Sequence, residues 1–317
     1  MHYFITGGAG FIGSNYVNLL LEGNYGYFES VTVFDNLNYA SNIENIRRHE
    51  KNPKYRFVKG DICDKKLLGE SIKRNSNVLH FAAETHVDRS LKDPEIFVHT
   101  NILGTQNLLE VALQMDSLKF VFISTDEVYG SKINGFSREI DTLNPTSPYA
   151  ASKAAAEMLV NSYQKNFGLN TLITRSCNNF GPNQDAEKLV PKIINQISRN
   201  EPIPIYGDGK NLREWIFVED NCNAINSILT QGKSGETYNI GTGELFTNLQ
   251  IVNEILSIFK KSPSLIQFVP DRIAHDYRYA LDSTKIQIAF GFVPKYSLKS
   301  GLASYADDIK SDLEQSQ

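Results

Sequence analysis

The stretch that decides the fold is Tyr3-Phe-Ile-Thr6-Gly7-Gly-Ala-Gly10-Phe11-Ile12-Gly13. A short apolar run leads straight into a G-x-x-G-x-x-G turn, and an amphipathic segment from about Ser14 to Glu22 follows. Glycines at these spacings let the turn adopt positive φ, let a pyrophosphate approach the backbone and let the helix pack closely on the strand. The helix N-terminus then presents free N–H groups and a favourable dipole to the phosphates. A second strand-like run ends in Asp35, 22 residues past Gly13, where an acidic side chain accepts from both hydroxyls of an adenosine ribose. Asp35 repels a 2′-phosphate and Asn36 follows it in place of Arg, so NAD is expected over NADP. Asp61-Ile62, after a third strand, suits the adenine amino group by position.

Outward from this loop, short β-branched or aromatic runs alternate with helix-length stretches. Strands are predicted at Tyr3–Thr6, Ser30–Asp35, Tyr55–Lys59, Asn77–Phe81, Lys119–Ser124 and Asn170–Arg175. That alternation predicts an α/β, Rossmann-type doubly wound parallel sheet covered on both faces. One helix is expected from Asp93 (N-cap) and Pro94 (first turn) toward Met115, another from Ser147–Tyr149 to Phe167, stopped by Gly168. After residue 176 prolines and glycines break the alternation. Residues 1–176, with segments near 214–242 and 275–285 returning to the sheet, are expected to form the NAD domain. Residues 177–213 and 243–317 are expected to form a smaller lobe.

The 317 residues carry a net charge of −4, which gives no global attraction to nucleic acid or membrane. No apolar run reaches the roughly 20 residues of a membrane helix. The chain opens on a strand-like run without a signal-type apolar core, and its three cysteines are odd in number and far apart, which suits a reducing cytoplasm. Among the histidines no metal-ligand spacing is present, and no nucleophilic triad is evident.

Tyr149-Ala-Ala-Ser-Lys153 places Tyr and Lys four apart on one helical face. An ammonium beside a phenol favours the phenolate, so Tyr149 is expected to have a lowered pKa and to take an alcohol proton while hydride leaves the adjoining carbon. Lys153 is also placed to hold the nicotinamide ribose.

The glycine loop, Ser124-Thr125 at a strand end and Tyr149/Lys153 together resemble the extended short-chain dehydrogenase/reductase family. Phe81-Ala-Ala-Glu-Thr-His-Val-Asp-Arg-Ser90, Ser124-Thr-Asp-Glu-Val-Tyr-Gly130 and Pro145-Thr-Ser-Pro-Tyr149 resemble its nucleotide-sugar dehydratase branch, the dTDP-glucose 4,6-dehydratases. So do Arg175…Asn178-Asn179-Phe-Gly-Pro182, Tyr206-Gly-Asp-Gly-Lys-Asn-Leu-Arg-Glu-Trp215 and His275-Asp-Tyr-Arg278-Tyr-Ala280. The resemblance implies an NAD enzyme that oxidises dTDP-glucose at carbon 4, eliminates water across carbons 5 and 6, and returns the hydride to carbon 6. It implies Asp126 as general acid, Glu127 as base and Thr125 as hydrogen-bond partner of the carbon 4 oxygen. Further cofactor contacts are implied at Asn36, Asn38, Ile62, Ala82, Ala83, Thr100, Ser124 and Asn178. Sugar-nucleotide contacts are implied at Thr85, His86, Asn179, Lys188, Leu189, Arg213, Asn248 and Arg278, and so is a homodimer formed by the helices near 93–115 and 147–167. Epimerases of the superfamily usually carry small or hydroxyl residues where Asp126 and Glu127 stand, so the acidic pair separates dehydratase from epimerase. A non-catalytic NAD sensor would not need Tyr149/Lys153. The chain departs from the family at Thr85 (usually Ser), Ile273-Ala274 (usually Pro-Gly) and Tyr277 (often Arg), which leaves CDP- or UDP-glucose open.

Overall fold

Strand β1 (His2–Thr6) lies inside a seven-stranded, all-parallel sheet, and it does so because both of its faces are apolar. Tyr3 and Ile5 point to one side and Phe4 to the other, all buried. In the computed structural model, which describes residues 1–272 and 275–315 (the side chains of 310–315 excepted), the sheet order is β3-β2-β1-β4-β5-β6-β10. The other members are β2 (Ser30–Asp35), β3 (Tyr55–Lys59), β4 (Ser76–His80), β5 (Lys119–Thr125), β6 (Thr171–Ser176) and β10 (Glu236–Ile240). Thr6 is in register with Phe34 on one side and His80 on the other, so the chain reverses its direction of sheet growth at β1. The carboxyl ends of β1 and β4 therefore open a crevice at the topological switch point, where ligands of open α/β sheets bind.

Helices cover both faces. On one, Tyr16, Val17, Ile225 and Ile228 pack on Tyr3, Ile5, Val31 and Val121. On the other, Leu108, Leu109, Ala156 and Val160 pack on Phe4, Phe34, Phe120 and Phe122. A third core, built by Phe180, Ile193, Ile203, Trp215, Phe217 and Ile255, belongs to the second half of the chain. It is framed by a three-stranded sheet of β11 (Leu245–Thr247), β9 (Leu212–Phe217) and β7 (Asn178–Phe180), and by the parallel pair β8 (Ile203–Tyr206) and β12 (Ile266–Val269).

The returning segments differ in part from expectation. β10 pairs with β6, and the helix Val218–Gln231 packs on the main sheet. Residues 214–217 instead lie on β9, because Trp215 and Phe217 bury their rings against Phe180, 6.5 and 5.6 Å between centroids. Residues 275–285 add no main-sheet strand: Arg278 bridges to Leu212 and Leu281 to Ser137.

The helix Pro148–Phe167 has the expected ends. Ser147 Oγ accepts from the Ala150 N–H at 3.1 Å, and Gly168 closes it with φ 70°. The helical path from Pro94 to Gln114 is not uniform. Pro94–Phe97 and Thr105–Gln114 are α-helical, Val98–Gly104 is π-helical, and the Asp93 side chain caps nothing. A π segment makes room for an extra residue within a helix and commonly does so at a functional site.

Candidate active site

At the end of β1 the backbone turns at Gly7 with φ +68°, and a Cβ there would sit 2.5 Å from the Ala82 nitrogen. A Cβ on Gly13 would run into the Gly7 carbonyl oxygen. The helix Phe11–Leu21 opens with no side-chain cap and no acidic residue in its first turn. Its first residues Phe11, Ile12 and Gly13 line the crevice, and the N–H groups of a first helical turn have no intrahelical partner, so the positive end of the helix is left for a ligand.

Asp35, at the end of β2, accepts from the Ala9 N–H at 3.0 Å through one oxygen and from the Leu37 N–H at 2.8 Å through the other. The second bond holds Leu37 at φ 56°, a left-handed conformation costing about 1–2 kcal/mol for a side chain of this kind. The loop so turned brings Asn36, Asn38, Ala40 and Ser41 into the crevice. Closely approached glycines, an uncapped helix start and a carboxylate with spare lone pairs fit an adenine dinucleotide. Asp61 accepts from the Cys63 N–H at 2.8 Å through one carboxylate oxygen, and its neighbours Gly60 and Ile62 face the crevice.

Strand β5 ends in Ser124 and Thr125, and a 3-10 turn, Asp126–Tyr129, follows. Thr125 caps the turn by accepting from the Glu127 N–H at 3.3 Å, and its hydroxyl donates to Asp126 Oδ1 at 3.2 Å. Asp126 Oδ2 and Ser124 Oγ are buried without a hydrogen-bond partner among the described residues, a costly arrangement unless a ligand completes it. Burial, with the neighbouring Glu127 charge second, pushes the Asp126 carboxyl up to about 8. Burial also raises Glu127, while Arg213 and Lys188 oppose the shift.

Tyr149 departs from expectation. Burial, then the Glu127 charge, pushes its phenol up, and a hydrogen bond with Thr125 opposes them. Lys153 does not supply the expected depression, because its ammonium donates to the Ile123 carbonyl at 2.7 Å and lies 4.1 Å over the Phe122 ring. Burial lowers Lys153 itself to about 7.

The crevice thus gathers Gly7, Gly10, Gly13, Asp35, Thr100, Ala82, Ala83, Thr125–Glu127, Tyr149, Lys153, Asn178 and Asn179. Thr85 and Lys188 join them, linked by a bond from Lys188 Nζ to the Thr85 carbonyl at 3.3 Å. Five expected substrate residues do not line it. Arg213 donates to the carbonyls of Leu212, Asp276 and Tyr277, although its charge reaches Asp126 and Glu127. Arg278 donates to the carbonyls of Lys132 and Gly135. His86 pairs with Glu187 at 3.3 Å, Leu189 packs in the third core, and the Asn248 N–H donates to the Asn211 carbonyl. Of the family departures, Thr85 faces the crevice, Tyr277 is exposed, and Ile273-Ala274 lie outside the described residues. Gln184, Asp185 and Ser41 also line the crevice, and no motif in their neighbourhood announces them.

A doubly wound sheet, a glycine loop answered by Asp35, and a Tyr149/Lys153 helix beside Thr125 define an NAD-dependent extended short-chain dehydrogenase/reductase. Within that class the family described as GDP-mannose 4,6 dehydratase matches residues 4–305, and the chain belongs to it. Two relatives show how closely. A low-salt glycan biosynthesis protein, Agl12, of Haloferax volcanii is 47% identical over 99% of this chain and 100% of its own length. A dTDP-glucose 4,6-dehydratase of Streptomyces niveus is 43% identical over 95% of this chain and 90% of its own. The crystal structure of DesIV, a dTDP-glucose 4,6-dehydratase of Streptomyces venezuelae with NAD bound, superposes with a TM-score of 0.96 at 41% identity and covers 98% of each chain. Among the described residues no helix is long and apolar enough to cross a membrane.

Proposed function

We propose that this chain is an NAD-dependent hydro-lyase that converts dTDP-glucose to dTDP-4-keto-6-deoxyglucose. The observation that carries the reading is the adjacent pair Asp126 and Glu127 at the end of β5, in one crevice with Thr125 and Tyr149. NAD, when bound, supplies the acceptor and later the donor of the hydride, and its cationic ring favours the ionised phenol. Tyr149 takes the proton of the carbon 4 hydroxyl, and Thr125 holds that oxygen. Glu127 then removes the carbon 5 proton, which the new ketone has acidified. Asp126, a carboxyl that keeps its proton at neutral pH, delivers it to the departing carbon 6 hydroxyl.

Asn179 and Lys188 are proposed to grip the diphosphate from the smaller lobe, with Arg213 acting on the carboxyl pair from behind. The exposed Ile96, Val98, Leu103 and Met158 support a homodimer in which the helices near 93–115 and 147–167 pair. Three free cysteines support a reducing, cytoplasmic setting. The test is incubation with dTDP-glucose in deuterated water without added NADH. A 4-keto-6-deoxy product with one deuterium at carbon 5 is expected, and recovery of dTDP-galactose alone overturns the reading. Competition among dTDP-, UDP-, CDP- and GDP-glucose identifies the preferred nucleotide.

A further inference from the structure

We propose that Glu84 is a positioning residue for the cofactor: it pins the loop that covers the adenosine ribose to the helix that carries Tyr149. Glu84 lies just beyond β4, buried, outside the crevice lining. One carboxylate oxygen accepts from Asn38 Nδ2 at 2.9 Å and the other from the Tyr39 hydroxyl at 2.8 Å. Those two residues directly follow Leu37, whose left-handed backbone has to be held in place. Two hydrogen bonds accepted by a buried carboxylate supply that hold, and Asn38 passes it on by accepting from the Ala40 N–H at 3.0 Å.

The other end of the connection runs through the main chain of Glu84. Its N–H donates to Asn101 Oδ1 at 2.8 Å and its carbonyl accepts from Asn101 Nδ2 at 3.0 Å. The same Asn101 amide donates to Ser152 Oγ at 2.8 Å, and Ser152 donates to the Tyr149 carbonyl at 2.7 Å. Every link is at normal hydrogen-bonding distance. Asn101 sits in the π-helical segment, which turns it toward Glu84. The path thus joins the two ends of the dinucleotide cleft, ribose loop and hydride-transfer helix, through one residue, its carboxylate holding the loop and its main chain the helix. Because the reaction oxidises and then reduces the same sugar, the cofactor has to stay bound between the two steps. A pinned ribose loop slows its escape.

The inference rests on the NAD reading of the crevice, and the test separates the two. NAD carried through gel filtration, and the NAD dissociation constant of stripped protein, are measured for the parental chain, Glu84→Ala, Glu84→Gln and Tyr39→Phe. KM for dTDP-glucose is measured at saturating NAD. We expect Glu84→Ala to weaken NAD binding at least tenfold, about 1.4 kcal/mol, and Tyr39→Phe about threefold, with KM for the sugar nucleotide unchanged. Glu84→Gln keeps an accepting carbonyl and should recover most of the retention. Tyr39 is 41% exposed and the change deletes a single hydroxyl, so that variant decides the matter if Glu84→Ala does not fold. Parental NAD retention in both Glu84→Ala and Tyr39→Phe overturns the proposal, as does a rise in KM with NAD affinity intact. A parental protein that binds no NAD overturns the cofactor reading itself, and this proposal with it.

Discussion

Thr125 donates its hydroxyl to one carboxylate oxygen of Asp126 at 3.2 Å, and the other oxygen is buried without a hydrogen-bond partner among the described residues. The same hydroxyl group bonds to Tyr149 and accepts from the Glu127 N–H. One side chain therefore reaches the Asp126 carboxyl, the Tyr149 phenol and the backbone of Glu127. Valine has the shape of threonine without the oxygen, so Thr125→Val should lower kcat by about 10–100-fold, the value of one or two hydrogen bonds to charged or reacting groups. Thr125→Ser should recover most of the loss. The check is steady-state turnover of dTDP-glucose alongside NAD content, which should not change.

Asp126 can act as an acid only while it holds a proton. Turnover should fall as pH rises through about 8, and in Asp126→Asn the small residual turnover should lack that alkaline limb. The same shift sets a stability trend. The folded-state pKa lies above the unfolded value of 3.8, so the folded chain binds the extra proton between them. Its contribution to stability is present below the unfolded pKa and is lost as pH rises through about 8. Asp126→Asn removes that liability, so its stabilising effect, read as the denaturant midpoint, should be larger at pH 8.5 than at pH 5.

Arg175 and Glu157 form a buried pair, with Nε and Nη2 of the arginine on the carboxylate at 2.6–3.1 Å. Arg175 Nη1 also donates to the Tyr129 hydroxyl at 2.7 Å, joining the catalytic turn to the catalytic helix. Glu157→Gln leaves a buried guanidinium with no opposing charge and should cost about 3–5 kcal/mol in denaturant unfolding. Glu157 also holds the Lys153 pKa up, so this variant should lower it further.

Gly13→Ala sets two effects against each other. Alanine is the better helix former by about 1 kcal/mol, but its Cβ would strike the Gly7 carbonyl, a backbone group that cannot swing away. The clash should win, costing about 1–3 kcal/mol and weakening NAD binding, as calorimetry of the two proteins would show.

What was legible in the sequence was local. Gly7, Gly10 and Gly13 lie within one turn, Asp35 follows at the length of a strand–helix–strand unit, and Tyr149 and Lys153 share a helical face, so spacing alone placed them together. Arg213 and Arg278 were expected to grip phosphates because they are basic and match a motif. Their guanidiniums donate to carbonyls of residues 132, 135, 212, 276 and 277, contacts that only the folded register brings about. Lys153 was expected to depress Tyr149, but helical spacing says nothing of the Ile123 carbonyl that receives its ammonium. Glu84 and Tyr39 meet across 45 residues, beyond the reach of any periodicity.

The π-helical turn at Val98–Gly104 has a consequence for how this chain can vary. A wide turn absorbs one residue more than an ordinary turn, so the helix on either side keeps its facing across it. Deleting one residue there would restore an ordinary turn, and Leu108, Leu109 and Ala112 beyond it would still face the sheet. The change would fall on the segment itself, on Thr100 in the crevice and on Asn101 against Glu84. The helix can therefore lose that residue and keep its core face, while the site loses the bearing of the two side chains the wide turn presents.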